Sequence, residues 1–468
     1  MKKIDTRTLC DILEKAQSRI INITDSDIII DELLNIDMGV RSFYFKNCQI
    51  SGHRIDFFIE NETEITNLAG SIKSFQSISF EDCKISADIF IKDCTLNSIS
   101  LHDVEITSNY FHITTATVKN ISIKGKPDYP NIINSLIINN ITGENSRLYF
   151  TLNNISYLNI KDSSFDKVFM NGNQIDRLFI DNFNCLISFE FWKNKLKQAS
   201  KIKKATINEF IGQNTIYGSE LKFEQVTFKD VCRLEQIPKT NNSTLIFKEC
   251  SFEKSAYFDN SSLYLLSINA TFFKDIVSFN STTVDRVVFK SVHFDKIAFF
   301  NEFKILLENL IDVGTIRIIK NQLYKTENKI DYLHYNVVEQ NLLLKDKSLN
   351  INDKVLLKLN KKSNNFGSSW LKAIWFTLIV SLIGFFTLLL INTFLNGSGY
   401  KYEINPTSKW LSFQEILKEW LRFTFSFDLR SYHNYESNGF LLFVFFFFKI
   451  FIGYGVYQTI AAFRKHSK

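Results

Sequence analysis

The chain has 468 residues and a formal net charge of +6, from 55 Lys and Arg against 49 Asp and Glu. This length exceeds one compact globular domain, so we expect two or more units or an elongated repeat. Much of the basic excess lies near apolar C-terminal segments, which suits contact with anionic lipid and argues against a protein built to bind nucleic acid.

The N-terminal segment, residues 1–39, is predicted to be helical and to cap the neighbouring domain. Its opening sequence, MKKIDTRTLCDILEKAQSRI, is charged throughout and lacks the apolar stretch of a secretory signal. We therefore expect the first 300 or so residues to stay in the cytosol. The seven cysteines are widely spread and form no C-x-x-C pair, which favours a reducing compartment and excludes a zinc or thiol-exchange motif of that type.

A five-residue period is the strongest signal in the sequence. Large apolar residues occur at every fifth position in an unbroken run: Phe150, Ile155, Ile160, Phe165, Met170, Ile175 and Ile180. Two further registers each slip by one residue: Phe75, Phe80, Ile85, Phe90 and then Leu96, Leu101, Ile106, Phe111, and Phe258, Leu263, Ile268, Phe273 and then Phe279, Val284, Phe289, Phe294, Phe299. Helices repeat every 3.6 residues and strands every two, so neither explains the period. A chain that turns a corner every five residues does.

Residues 83–106 (CKISADIFIKDCTLNSISLHDVEI) and 256–294 carry this pattern most clearly, and they resemble the pentapeptide-repeat family. The resemblance covers roughly residues 40–303 and implies a mainly β fold, a right-handed quadrilateral β-helix with four pentads per coil. Cysteines at small inward positions are then interpreted as core filler. Two stretches interrupt the rhythm, 125–134 and 191–218. We predict an irregular turn for the first and a basic, partly helical insertion for the second, which is either a solvated excursion or a contact with lipid or a partner.

Helical spacing replaces the five-residue period after residue 303. Residues 314–347 and 352–362 are predicted to form helices within a cap and linker segment, 304–365. Such helices would cover the open end of the solenoid, whose unpaired strand edges otherwise invite aggregation.

The membrane domain is predicted over residues 366–468. Segments 371–395 and 439–463 are apolar and long enough to cross about 30 Å of hydrocarbon. Basic residues cluster at the start of the first segment and after the second, so the positive-inside rule places both termini in the cytosol. These residues are Lys354, Lys358, Lys361, Lys362, Lys372, Arg464, Lys465 and Lys468. Residues 356–378 and 452–465 also look like the C-terminal part of bacterial membrane-anchored pentapeptide-repeat proteins, which implies a multi-pass protein of the bacterial inner membrane.

The second apolar segment contains a lysine and a Gly-Tyr-Gly triplet. The triplet comes after Phe451 and Ile452 rather than the Thr and Val of a potassium filter, so we interpret Gly453 and Gly455 as small residues that permit close helix contact. Lys449 lies near the middle of the segment, where a charge is costly. Helical spacing places it on one face with Gly453, Val456 and Tyr457. Two hypotheses are open: Lys449 lines a pore between several copies, or it snorkels or pairs with a carboxylate such as Asp428.

The connection between the two apolar segments contains an amphipathic stretch, residues 408–429. Its apolar residues are predicted to share one side of a helix: Trp410, Phe413, Leu417, Trp420 and Leu421. This helix is either a flat interfacial helix or a pore helix that dips into the membrane.

The sequence contains no recognisable catalytic, metal-binding or phosphate-binding motif, so we expect neither an enzyme nor a cofactor. The favoured hypothesis is a cytosolic solenoid that senses or scaffolds a partner and is coupled to an oligomeric transmembrane bundle. That bundle would be an ion-conducting pore or a membrane effector in stress or phage defence. The alternative is a passive membrane tether. Expected partners are the lipid bilayer, further copies of the chain and an unidentified cytosolic protein or ligand. Mimicry of DNA is disfavoured by the positive net charge.

Overall fold

The computed structural model describes residues 1–16, 19–39, 41–59, 76–396, 409–426 and 439–466. These residues form two compact units, Met1–Thr326 and Glu327–Lys468. The first unit is mainly β and the second is helical.

The first unit is a parallel β-solenoid of about 13 turns, which confirms the predicted mainly β solenoid fold. Its described residues form 29 strands. They are β1 (Lys2–Asp5), β2 (Ile20–Thr24), β3 (Ser26–Ile30), β4 (Leu34–Asp37), β5 (Ser42–Lys46), β6 (Gln49–Gly52), β7 (Arg54–Phe58), β8 (Ser77–Glu81), β9 (Lys84–Ile85), β10 (Asp88–His102), β11 (Glu105–Ile106), β12 (Phe111–Lys124), β13 (Asn131–Thr142), β14 (Arg147–Thr151), β15 (Asn153–Asn171), β16 (Gln174–Trp192), β17 (Lys195–Leu196), β18 (Ser200–Ile211), β19 (Ile216–Tyr217), β20 (Glu220–Phe228), β21 (Cys232–Arg233), β22 (Thr244–Lys248), β23 (Ser251–Phe252), β24 (Ala256–Tyr257), β25 (Ser262–Phe273), β26 (Val277–Ser278), β27 (Thr283–Phe294), β28 (Ala298–Phe299) and β29 (Lys304–Ile305).

The length of a coil explains both the five-residue period and its slips. In the strictly periodic region, residues pair with those twenty positions later, as Asn154 does with Gln174. Nearer the C-terminal end the offset is 21, as in the pairing of Thr283 with Lys304. Coils of 20 residues hold four equal sides, and an offset of 21 adds one residue. Other coils are longer still, since Ile89 pairs with Phe111 and Leu221 pairs with Leu245.

Two residues assigned to the core by the five-residue count point outward instead. Phe90 lies between the buried Ile89 and Ile91 and faces the Arg54 guanidinium, whose carbon is 3.6 Å from the ring centroid. The slip therefore comes before Phe90 rather than after it, because adjacent residues of a strand face opposite sides.

The same one-residue error occurs at the C-terminal end of the solenoid. Phe300, not Phe299, is fully buried and stacks on Phe279 with ring centroids 4.9 Å apart. Phe75, a member of the earlier register, lies outside the described residues.

The lysine-rich stretch 191–218 is not a helical insertion, and that prediction was wrong. It contains β17, β18 and β19, which pair in register with neighbouring coils, as Phe179 does with Lys201. Ile202 and Ile207 are buried while lysines occupy outward positions, so the charge pattern is that of an ordinary coil surface. The interruption near residues 125–130 does exist, because Glu105 pairs with Ile132 at an offset of 27, whereas Lys84 pairs with Glu105 at an offset of 21.

The solenoid also begins nearer the N-terminus than residue 40. Strand β1 starts at Lys2, and the helix of segment 1–39 is α1 (Thr6–Lys15), where Leu9 is buried. Arg41 ties this helix to the first coils by donating to the Leu13 carbonyl at 2.7 Å. Residues 1–39 therefore contribute both the first strands of the solenoid and the helix that caps them.

A second helix, α2 (Val313–Lys325), covers the other end, after a 3₁₀ turn at Glu308–Leu310. The Phe289 amide donates to Thr315 Oγ1 at 2.9 Å, and the Ala298 amide donates to Gln322 Oε1 at 3.2 Å. These side chains satisfy backbone groups that a further coil would otherwise bind, so α2 caps the edge.

Stacked aromatic rings fill much of the solenoid core. Because coils pair in parallel, equivalent residues lie above one another, and Phe252 stacks on Phe273 with centroids 4.6 Å apart. Phe258 stacks on Phe279 at 4.9 Å. Large rings therefore pack against rings of the adjacent coil.

A ladder of buried asparagines crosses four successive coils: Asn131, Asn153, Asn173 and Asn194. Each Nδ2 donates to the Oδ1 of the next asparagine, at 2.7, 2.8 and 2.9 Å in order. Asn173 Nδ2 also donates to the Phe150 carbonyl at 3.0 Å. The five-residue apolar pattern did not predict this asparagine ladder, because its members lie two residues before the large apolar residues that the pattern counts.

We predict that Asn173→Ala lowers the free energy of unfolding of the solenoid by about 1–3 kcal/mol, because it removes the acceptor of the buried Asn153 backbone N–H and Nδ2 and the donor to the Phe150 carbonyl. Thermal and urea unfolding of the full chain in detergent would measure this. Asn154→Ala, at a half-buried position beside the ladder, is the control and should change stability by less than about 0.5 kcal/mol. Equal effects of the two changes would contradict a structural role for the ladder.

The second unit contains five helices among its described residues: α3 (Lys329–Lys345), α4 (Ile351–Asn364), α5 (Trp370–Asn396), α6 (Lys409–Phe425) and α7 (Gly439–His466). Two of them are long and apolar enough to cross a membrane, over Trp370–Ile391 and Gly439–Arg464. Only 28% of each apolar window is buried inside the protein, so most of this apolar surface is exposed.

Candidate functional site

Helix α6 packs lengthwise against α5 and α7. Buried apolar residues of all three helices form one cluster: Phe385, Leu388, Phe423, Leu441, Phe445 and Ile452. Trp420 packs on this cluster and its Nε1 donates to Ser381 Oγ at 3.1 Å. Ser381 lies at the middle of the apolar part of α5. Helix α6 therefore runs alongside the two long helices and does not lie flat across their ends.

The C-terminal end of α6 extends past the middle of both long helices. Thr424 and Phe425 line a cavity of about 200 Å³ together with Ile374 near the start of α5 and Ile460 near the end of α7. The end of α6 thus lies deep within the bundle.

Lys449 of α7 is 2% exposed and caps the C-terminus of α6. Its Nζ donates to the Ser426 carbonyl at 2.5 Å and also to the Phe423 carbonyl. The rings of Phe423 and Phe445 flank the ammonium group, with centroids 4.8 and 5.3 Å from Nζ. The last carbonyls of a helix lack intrahelical partners and carry the negative end of its dipole, so a cation is favourable there.

Neither hypothesis made for Lys449 from the sequence included backbone carbonyls as its partners. The ammonium group faces the end of α6 within one protomer, and this geometry gives no support to pore lining by Lys449. Asp428, the carboxylate considered as its partner, lies outside the described residues.

The structure separates the two glycines of the triplet. A Cβ at Gly455 would overlap the Thr377 side chain of α5 and approach Phe376, whereas a Cβ at Gly453 would meet nothing within 4 Å. Val456 and Tyr457 are 41% and 65% exposed. Gly455 thus permits close approach of α5 and α7, and packing by Gly453, Val456 and Tyr457 in an assembly stays a prediction.

The outward face of α6 combines charged and apolar residues. An open groove of about 620 Å³ is lined by Gln414, Leu417, Lys418, Leu421, Arg422, Phe425 and Ser426. Arg422 Nη1 lies 3.3 Å from Glu419 Oε1, one turn earlier on the helix.

Residues predicted to share one side of α6 lie on different faces. Trp420 packs inward, whereas Leu417 and Leu421 are exposed. The inward stripe is Ile416, Trp420 and Phe423, whose i, i+4, i+7 spacing was available in the sequence. Trp410 and Phe413 belong to α6, and their side chains lie outside the described part of the structure.

A polar cluster joins α4 to α7. Tyr454 Oη donates to Asn360 Oδ1 at 2.6 Å, and Gln458 Nε2 donates to the same oxygen at 3.3 Å. Asn364 Nδ2 donates to Gln458 Oε1, and Asn364 is 2% exposed. The helix that precedes the first long apolar helix is therefore hydrogen-bonded to the second one.

The solenoid surface carries two polar features. Glu224 is held between Lys201, Lys248 and Lys222 at 2.5, 3.1 and 3.4 Å, and hydrogen bonds from Lys201 and Lys248 lower its pKa to about 2. The other feature is a groove of about 540 Å³ beside the interruption at residues 125–130, and its lining includes the charged residues Lys84, Asp103, Glu105 and Lys126. Both features are polar surfaces on a stack of coils.

No cluster of three or more His, Cys, Asp or Glu side chains that could hold a metal ion occurs within the described ranges. No family model, curated protein or solved structure matches the chain. The function is therefore inferred from the geometry of this chain alone.

We predict that Gly455→Ala destabilises the packing of α5 and α7 by about 1–3 kcal/mol, because the added methyl group overlaps Thr377. Gly453→Ala, two residues away on the same helix, is the matched control and should unfold at nearly the wild-type temperature. Thermal unfolding in detergent would compare them, and equal losses would show that Gly455 is not the contact that matters.

Proposed function

We propose that the protein is a membrane-anchored cytosolic β-solenoid whose surface binds a protein or ligand, coupled to an oligomer of helical units that forms an ion-conducting pore. Helices α5 and α7 cross the bilayer, and α6 enters it without crossing. The observation that carries the proposal is the charged face of α6 at the level of the middle of α5. No catalytic step and no cofactor is part of this function.

The exposed apolar surface of α5 and α7 supports insertion into a membrane. Large side chains on both helices point away from the protein, including Ile383 at 54% exposure and Phe443 at 67%. Soluble proteins rarely expose contiguous apolar surface on this scale. Basic residues lie at the N-terminal end of the first apolar segment and at the C-terminal end of the second, and the positive-inside rule then places both termini in the cytosol.

The charged face of α6 supports assembly around water. Lys418 and Arg422 lie two residues before and after Trp420, so each is about 3 Å along the helix axis from the residue that bonds Ser381. A charge at the bilayer centre costs about 2.5–3.5 kcal/mol even on insertion scales. The groove face of α6 must therefore meet water or protein, and several copies of the chain around an aqueous passage supply both.

The passive tether accounts less well for α6. A tether needs only two spans, and it gives no reason for charged side chains at mid-bilayer level on a third helix. A role as a membrane effector in stress or phage defence, a bacterial inner-membrane location and membership of the pentapeptide-repeat family stay hypotheses that agree with this architecture.

Cysteine accessibility tests whether water reaches α6. In a Cys10→Ser background, Leu421→Cys should react with a membrane-impermeant, water-soluble methanethiosulfonate in proteoliposomes, because it lies in the groove face. Ile383→Cys, exposed on α5 at a similar depth, should face lipid and react at least about tenfold more slowly. The other six native cysteines are buried in the solenoid. Equal, slow reaction at both positions would contradict an aqueous passage along α6.

Ion flux tests the pore itself. Wild-type protein in liposomes loaded with potassium chloride should release ions, and labelling of Leu421→Cys with a bulky thiol reagent should reduce the flux several-fold because the adduct narrows the passage. Reduction of the adduct should restore it. Labelling of Ile383→Cys should leave flux unchanged. Flux that is absent, or insensitive to an adduct at residue 421, would favour the tether.

A further inference from the structure

The sign of the charge along α6 determines which ions the passage admits. We infer that the passage selects small monovalent anions over cations, which rests on the proposed function and names the substrate class of the pore. Two independent features of the helix support this selection, namely the charges on its outward face and the neutralisation of its C-terminal end.

The outward face of α6 has an excess of positive charge. Lys418 and Arg422 are exposed, and Glu419 is bonded to Arg422. Among the described side chains of this face, each copy therefore contributes one positive charge in excess. Rings of like charge formed by symmetry around a narrow passage attract counter-ions and repel ions of the same sign.

The C-terminal end of α6 does not offset this preference. A helix whose C-terminus ends inside a membrane presents partial negative charge and favours a cation there. In this protein the ammonium group of Lys449 already occupies that position, bonded to the Phe423 and Ser426 carbonyls. The aromatic rings of Phe423 and Phe445 flank the ammonium group. The Lys449 ammonium group therefore occupies the position that a permeating cation would otherwise take.

The apolar residues between the charges favour weakly hydrated anions over strongly hydrated ones. Leu417, Leu421 and Phe425 alternate with the basic residues along the groove. An ion that passes them loses part of its hydration, and the guanidinium of Arg422 is itself weakly hydrated. Weakly hydrated monovalent anions such as nitrate and iodide should therefore pass at least as readily as chloride.

Reversal potentials in planar bilayers under a potassium chloride gradient test this inference. Wild-type currents should reverse near the chloride equilibrium potential. Lys418→Gln and Arg422→Gln should each lower the chloride-to-potassium permeability ratio by at least about threefold, because each removes a fixed positive charge from a narrow passage. Glu419→Gln should raise the ratio, and this opposite sign on the same face is the matched control. All three side chains lie outside the packed core of the bundle, so folding should be preserved.

Labelling rates give a second measurement that does not require current. Leu421→Cys should react faster with an anionic methanethiosulfonate than with a cationic one, after correction for their rates with a free thiol, and Arg422→Gln should reduce that ratio. Conductance with potassium preference, or faster reaction with the cationic reagent, would overturn anion selection and leave the pore intact. Absence of both conductance and labelling would overturn the proposed function together with this inference.

Discussion

Parallel hydrogen bonding between successive coils is the constraint on which the solenoid depends. It places each residue directly over its equivalent about 20 residues away, as in the pairing of Asn154 with Gln174. A residue type that packs well against itself is therefore repeated from coil to coil, which explains the stacked phenylalanines. A polar residue is tolerated in the core where the equivalent residue of the next coil forms a hydrogen bond with it. The same bonding leaves the two terminal coils with unpaired edges, and α1 and α2 cover them.

A different constraint governs the helical unit, because a polar group placed among apolar helices must find a partner there. Lys449 meets this requirement with backbone carbonyls at the end of α6, so one contact satisfies both a buried ammonium group and the last carbonyls of a helix. The inward face of α6 is apolar and packs on α5 and α7, whereas its outward face carries Lys418 and Arg422. The two faces of one helix therefore require two different environments.

The sequence was sufficient to predict the solenoid and the two apolar helices, since each depends on a period or length that many residues repeat. It was not sufficient where the structure depends on the orientation or partner of a single residue. Phe90 and Ile91 are both apolar, and which of them points inward depends on pairing with a coil far away in sequence. Asn173 is unfavourable in a core until the asparagine of the next coil is placed beside it. The partners of Lys449 are main-chain atoms, which have no sequence signature, so a search for carboxylates could not find them.

The polar contact between α4 and α7 has equal spacing on both sides. Asn360 and Asn364 are four residues apart, and so are Tyr454 and Gln458, to which they bond. A displacement of α4 by one helical turn, about 5.4 Å, would bring Asn364 to the place of Asn360 and restore bonds of the same kind. Intermediate displacements would break these hydrogen bonds, one of which belongs to the buried Asn364. The contact therefore favours stepwise sliding of α4 along α7, between discrete registers rather than by a continuous amount.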